Sequence, residues 1–201
     1  MSGDSKLVAL VFTEVGQLAA RQGSVASQTG AGVLIDVQPD NAVDALKEIQ
    51  ARAKDAGVEL KDAVIAFKTS DGRVKIKQTK ELTVSQGASR GGLLGLIVGL
   101  IFGGPLVGAL LGLGIGAIIG RRDHGLDDDF IRGLGKSLKP GDSVLLLLID
   151  QELKPEGVAY LESFNATLHI TDFDAESEQA VSRAAKNEAI AGAVEAEFAE
   201  E

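Results

Sequence analysis

A run of thirty residues from Gly91 to Gly120 carries no charge and no hydrogen-bonding side chain, although the whole chain has a net charge of -9. Glycines recur in and just before this run at every fourth position, in two series separated by a break at Gly103-Gly104. Residues four apart lie on one face of an α-helix. Each series therefore predicts a helix with a stripe that lacks side chains, along which a second backbone can approach closely. The stripes comprise Gly87, Gly91, Gly95, Gly99 and Gly103 in the first series, and Gly104, Gly108, Gly112, Gly116 and Gly120 in the second.

The surroundings of this segment decide whether such helices form. In water, each interior glycine costs a helix roughly 0.5–1 kcal/mol relative to alanine. In a lipid bilayer the backbone must satisfy its own hydrogen bonds, so a helix is strongly favoured. Pro105 suits the first turn of a second helix, where its missing N–H is not needed. The pattern predicts a glycine-zipper helical hairpin over residues 87–122, placed in a membrane or buried in the core of a soluble oligomer.

Basic residues flank the apolar run and indicate its orientation. Arg90 precedes the run, and Arg121 with Arg122 follows it. Under the positive-inside rule both ends lie in the cytoplasm, and the three guanidinium groups are expected to contact anionic lipid headgroups. Each leg would reach about 20–24 Å, short of the ~30 Å hydrocarbon core. The sequence therefore predicts a protein on the cytoplasmic face of the inner membrane, whose partners are the bilayer and further copies of itself. Whether the hairpin spans the bilayer or is re-entrant stays open.

The remainder of the chain alternates between strand and helix patterns. We predict the order βαββ, glycine insertion, αβαβα, which is typical of an α+β fold, here a ferredoxin-like sandwich with an inserted glycine-rich helical hairpin. The predicted strands are Lys6–Phe12, Ala31–Gln38, the two arms of a hairpin around Asp71-Gly72, Ser143–Asp150 and Ala166–Phe173. The predicted divisions are an N-terminal extension (1–30), the first half of the α+β domain (31–86), the hairpin (87–122), and the second half with an acidic C-terminal helix (123–201).

Local signals support several of these elements. Gly57 is expected to end the helix that follows Asn41, and Asp71-Gly72 is the strongest short hairpin signal in the chain. The uniformly apolar SVLLLL stretch from Ser143 suits a central strand that is buried on both faces. Lys75 and Lys77 alternate with Val74 and Ile76, which predicts one core-facing and one solvated face for that strand.

Composition excludes several kinds of chemistry. The chain has no cysteine, which excludes disulfides and thiolate metal sites, and its net acidity argues against nucleic acid as a partner. Asp127, Asp128 and Asp129 are interpreted as helix-capping residues rather than as a cation site with His124, and His169 as a structural strand residue. Gly116 and Gly120 continue the glycine series, and no strand is predicted before Gly114, so these three glycines do not predict a dinucleotide site. We predict no catalytic residue, no metal and no cofactor.

The chain resembles a known family in three blocks that occur in order. These are VKIKQTKELT (Val74–Thr83), the glycine-rich run, and GLDDDFIRGLGKSLKPGDSVLLLL (Gly125–Leu148). Together they resemble an uncharacterised prokaryotic family of predicted membrane proteins, over roughly Val33 to Asp172. The resemblance implies association with a membrane and supplies no activity, and residues 1–30 look like an extension that the family pattern does not need.

The leading functional hypothesis is a non-enzymatic, membrane-associated protein that self-assembles, with a role in scaffolding, membrane shaping or stress. Two alternatives belong to other classes: an oligomeric pore formed by several hairpins, and a regulatory module that binds a small ligand. The absence of a polar side chain in either leg argues against a conducting pore, and the ligand-binding alternative rests on the predicted ferredoxin-like sheet.

Overall fold

The computed structural model of the chain describes residues 5–13, 40–77, 92–102 and 128–185, together with Gly192 and Ala196. The elements in chain order are β1 (Ser5–Phe12), α1 (Asp40–Ala56), β2 (Leu60–Lys68), β3 (Val74–Lys77), α2 (Gly92–Phe102), α3 (Asp128–Ser137), β4 (Ser143–Ile149), α4 (Pro155–Glu162), β5 (Thr167–Phe173) and α5 (Ala175–Ala185). The predicted strand Ala31–Gln38 and the second leg of the glycine hairpin lie outside the described residues.

The strands form one antiparallel sheet in the order β3-β2-β4-β1-β5. The β2–β3 pair is the hairpin predicted at Asp71-Gly72, and Gly72 adopts a φ of 87°, which an L-residue rarely adopts. The fold is therefore α+β, as predicted at the level of class.

Strand β1 lies inside the sheet. Its residues pair with β4 on one side, where Leu7 is opposite Leu148, and with β5 on the other, where Leu7 is opposite Thr171. The sequence predicts the strand correctly but assigns residues 1–30 to an extension. Because β1 is hydrogen-bonded along both edges, residues Ser5–Phe12 form an integral strand of the domain rather than an addition to it.

Both faces of the sheet are covered by helices, and the alternation of side chains divides the core into two layers. On the first face, Val8 and Leu10 of β1 pack with Leu46 of α1 and Leu161 of α4. On the second face, Leu7, Ala9 and Val11 pack in one core with residues of α2, α3 and α5. Every residue of β4 is buried, as expected for a strand between two helical layers.

Two further glycines with positive φ lie at the end of α1 and in the turn before β4. Gly57 (φ 66°) follows α1, and the N–H of Val58 donates to the carbonyl of Ala53 at 2.8 Å, which closes the helix end. Gly141 (φ 89°) precedes β4, and its N–H donates to the carbonyl of Lys68 at 2.7 Å, tying this turn to the end of β2.

Candidate functional site: helix α2 and its docking face

Helix α2 is the described part of the glycine-rich run. Its eleven residues, GLLGLIVGLIF, include no acidic residue in the first turn and no basic residue in the last. A helix that is apolar on all sides belongs either in a protein core or in a membrane. Here Ile97 and Val98 are fully buried, and Gly95 and Gly99 are buried on the helix as well.

The surface that receives α2 consists of α5, α3 and the sheet strands β2 and β4. We call it the docking face. Ile97 and Val98 belong to one core with residues from each of these elements: Val64, Ala66, Leu134, Val144, Leu146 and Val181. Ile101 and Phe102, at the end of α2, are half-buried against the same core. The described part of the first predicted leg, Gly92–Phe102, thus lies within the fold of its own chain.

One glycine of α3 contacts the end of α2. A Cβ placed on Gly135 would lie 3.3 Å from the carbonyl oxygen of Ile101 and 3.8 Å from its Cγ2. Such a distance to a backbone atom is tighter than usual van der Waals contact, so a side chain at residue 135 would push the two helices apart. The absence of a side chain at Gly135 permits the close approach of α3 to α2.

Gly95 differs from Gly135 in its surroundings. A Cβ built on Gly95 would meet no atom of the described residues within 4 Å, outside the backbone of its own helix. The described packing around α2 therefore has room for a methyl group at residue 95. The contacts of α2 with the docking face therefore do not explain why residue 95 is a glycine.

We expect Gly95→Ala to raise the free energy of unfolding by about 0.5–1 kcal/mol, because alanine favours the helix over glycine and the described fold has room for the methyl group. Gly133→Ala is the matched control, since Gly133 is an exposed helical glycine of α3 that also has no neighbour within 4 Å in the described structure. Urea unfolding followed by circular dichroism measures both variants. If Gly95→Ala lowers the free energy of unfolding while Gly133→Ala raises it, the inference that a methyl group fits at residue 95 is wrong.

The structure covers only part of the predicted site. Gly95 and Gly99 lie on α2, one helical turn apart. The other predicted packing glycines and the predicted headgroup-contacting residues lie outside the described residues: Gly87, Gly91, Gly103, Gly104, Gly108, Gly112, Gly116, Gly120, Arg90, Arg121 and Arg122. Within the described part of the chain, no helix is long and apolar enough to cross a membrane. Eleven residues of α2 extend only about 16 Å at 1.5 Å per residue.

Three of the polar residues considered in the sequence analysis lie in the described part of the chain: Asp128, Asp129 and His169. Asp128 and Asp129 are the first two residues of α3. The His169 ring meets the Phe130 ring edge-on, with centroids 6.4 Å apart, and its Nε2 is buried without a hydrogen-bond partner among the described residues. No three His, Cys, Asp or Glu residues of the described ranges are placed to hold a metal ion.

A group of charged residues beside α5 was not predicted from the sequence. Lys61 Nζ lies 2.7 Å from Asp150 Oδ1 and 3.1 Å from Glu178 Oε2, and it donates to Ser5 Oγ at 3.2 Å. We call Lys61, Asp150 and Glu178 the Lys61 clasp. It joins the start of β2, the end of β4 and the first turn of α5, which are far apart in sequence. No local pattern could have indicated that these three residues meet.

The clasp shifts the pKa values of Lys61 and Asp150. Partial burial of Lys61 alone would lower its pKa, but hydrogen bonds to Asp150 and Glu178 outweigh this effect and raise the pKa above its ordinary value. The hydrogen bond from Lys61 lowers the pKa of Asp150. Both shifts favour the charged forms, so the clasp stabilises the fold between the acidic range where Asp150 is protonated and the alkaline range where Lys61 loses its proton.

A second basic residue lies at the same end of the sheet. Lys6 of β1 contacts Glu152 at 2.9 Å and also pairs with Asp172 of β5. Hydrogen bonds to Asp172 and Glu152 raise the pKa of Lys6. These acidic partners belong to β5 and to the connection after β4, so this second cluster, unlike the Lys61 clasp, does not include a residue of α5.

These features define an α+β protein in which an uncharged, glycine-containing helix is packed on one face of an antiparallel sheet. Residues 88–186 match the family described as Protein of unknown function (DUF1269). The predicted resemblance to an uncharacterised family is supported for this part of the chain, whereas the predicted span began near Val33. The match includes the elements from α2 to α5, and β1, α1, β2 and β3 precede it. Comparisons with curated proteins and with solved structures gave no match.

Proposed function

We propose that the chain is a non-enzymatic, membrane-associated protein that self-assembles through its glycine-rich segment. The observation that carries this proposal is the spacing of the glycines by four over an uncharged stretch. Such spacing gives a surface on which helix backbones approach closely in lipid, and it is costly for a helix in water. The proposed location is the cytoplasmic face of the inner membrane, with Arg90, Arg121 and Arg122 at the headgroups.

The contrast between two glycines of the structure supports a second binding partner for α2. A side chain at Gly135 would make a tight contact with the carbonyl oxygen of Ile101, 3.3 Å from the position of its Cβ. Gly95 has room for a methyl group in the described fold, yet it belongs to the series of glycines spaced by four. A glycine that the docked state does not require is expected if α2 also packs, in another state, against a neighbouring helix.

The ferredoxin-like arrangement remains part of this proposal. The strands β2-β4-β1-β5 are antiparallel, and α1 and α4 lie together on one face, both of which support a split βαβ arrangement. The second helical layer of α2, α3 and α5 is additional to a two-layer sandwich. In such a domain the glycine segment is an insertion between β3 and α3, which belong to the same sheet domain.

Leucine substitutions in the two glycine series test the proposal. We expect the double variant Gly99→Leu, Gly112→Leu to lose self-association in lipid vesicles and to partition less into native membranes, because leucine side chains separate the helix backbones. Chemical cross-linking in vesicles measures self-association, and alkaline carbonate followed by detergent extraction of native membranes measures partition. Circular dichroism establishes whether the domain stays folded.

Gly133→Leu is the matched control, since it adds the same side chain to an exposed helical glycine that does not belong to either series. It should leave both self-association and partition as in the wild-type chain. If the double variant also retains wild-type oligomer size and membrane partition, the glycine segment does not have the proposed role. Recovery of the wild-type chain entirely in the carbonate-soluble fraction would contradict membrane association itself.

A further inference from the structure

Helix α5 is the main neighbour of α2. Their packing is the most extensive helix-to-helix contact in the described part of the chain, and Val181 of α5 shares a core with Ile97 and Val98 of α2. At the start of α5, the N–H of Ser177 donates to Asp174 Oδ1 at 2.7 Å, and Ser177 is itself buried. If α2 left the docking face, Val181 of α5 would therefore lose its apolar contacts with Ile97 and Val98.

The first turn of α5 is fastened to the sheet by Glu178. Its carboxylate accepts a hydrogen bond from Lys61 Nζ at 3.1 Å, and the same ammonium group is held by Asp150 at the end of β4. Lys61 is therefore fixed to the sheet independently of α5. Its side chain is 25% exposed and that of Glu178 is 36% exposed, so solvent screens their attraction only in part.

We propose that the Lys61 clasp holds α5 over α2 and thereby sets how readily α2 leaves the docking face for a lipid bilayer. This inference rests on the proposed function and adds a means of regulation to it. The occupant of the docking face is α2 of the same chain, and the competing environment is the hydrocarbon region of the membrane. The clasp acts on the population of the released state rather than on contacts made in the bilayer.

Three properties of α2 and its neighbours support this competition. No charged residue of α2 has to be desolvated on transfer to lipid. The docking face is built from helices as well as strands, and the pairing of the strands does not involve α5. The clasp is an ionic contact between one of these helices and the sheet. A modest change in the clasp is therefore expected to change the fraction of chains in which α2 is accessible.

The test uses three single variants of the full-length chain. Lys61→Gln and Glu178→Gln each break the link from α5 to the sheet, and they change the net charge in opposite directions. Lys6→Gln is the matched control, because it removes one positive charge and two ion pairs at the same end of the sheet without altering a partner on α5. The vesicles contain phosphatidylglycerol and phosphatidylethanolamine, and sedimentation measures the bound fraction.

We expect both clasp variants to raise the vesicle partition coefficient about two- to fivefold, which corresponds to the loss of one partly exposed ion pair. Hydrogen exchange in solution should be faster for the amides of residues 92–102 by a similar factor. Lys6→Gln should change neither quantity. An effect of net charge alone would instead move Lys61→Gln and Glu178→Gln in opposite directions and make Lys6→Gln behave as Lys61→Gln, which would overturn the proposal.

Hydrogen exchange separates this inference from the proposed function, because it requires no membrane. If exchange of α2 accelerates in the clasp variants but no variant binds vesicles, the clasp restrains α2 and membrane association is wrong. If the wild-type chain binds vesicles and neither exchange nor binding responds to the clasp variants, membrane association stands and the clasp does not regulate it.

Discussion

A chain that lacks residues 1–13 is expected to lose its cooperative fold. Those residues contain β1, which lies between β4 and β5 and is hydrogen-bonded to both. Without β1, two strands lose their pairing partner, and the buried side chains of Leu7, Val8 and Leu10 are removed from both core layers. The loss exceeds the total stability of about 5–15 kcal/mol that a domain of this kind has.

Circular dichroism and the dispersion of amide signals in a proton–nitrogen NMR spectrum measure the result. Lys6→Gln serves as the control, because it alters β1 only at the ion pairs of Lys6 with Glu152 and Asp172 and is expected to cost about 1 kcal/mol or less. A truncated chain that melts cooperatively with native strand content would show that β1 is dispensable, as an N-terminal extension would be.

The elements of the fold could largely be predicted from local pattern, whereas their placement could not. The run from Ser143 predicts a strand buried on both faces, and Asp71-Gly72 predicts the hairpin, because both signals depend on neighbouring residues. The assignment of β1 to an extension was wrong, because the position of this strand depends on residues that are distant in the sequence. Alternation in Lys6–Phe12 identifies a strand, but nothing in these residues indicates that β4 and β5 pair with it more than 130 residues later in the chain.

The family match shows the same limitation. Residues 88–186 contain β4 and β5, which are not neighbours in the sheet because β1 separates them. The matched part therefore depends on the N-terminal half of this chain to complete its sheet. Sequence similarity over the glycine segment and the following elements does not reveal this dependence, since the hydrogen bonds of β1 are formed by backbone groups that any residue other than proline supplies.

The candidate site was predicted in part, and the reason lies in the chemistry of α2. The sequence identifies Gly95 and Gly99 as residues of a helix without charge, and the structure has that helix at Gly92–Phe102. A helix that is apolar on every face is compatible with lipid and with a protein core alike. The docking face and the Lys61 clasp depend on contacts between distant residues, so they could be found only in the structure.

Val98→Asp is expected to destabilise the fold strongly. Val98 is fully buried in the core that α2 shares with α3, α5 and the sheet. The substitution removes apolar contacts of about 1.5–3 kcal/mol and adds a carboxylate that is costly to bury. We expect a decrease of at least about 3 kcal/mol in the free energy of unfolding, unless the chain avoids the penalty by releasing α2.

If α2 leaves the docking face in Val98→Asp, the decrease in the free energy of unfolding cannot exceed the free energy with which α2 is docked. The variant therefore measures that docking free energy. Ala159→Asp is the control, because it introduces the same carboxylate on the exposed side of α4, where a substitution is expected to change stability by less than about 0.5 kcal/mol. Chemical unfolding gives the two free energies, and hydrogen exchange of residues 92–102 in Val98→Asp distinguishes a released helix from an unfolded domain. If Val98→Asp is no more destabilising than Ala159→Asp, α2 is not held on the docking face in solution, and the clasp has nothing to restrain.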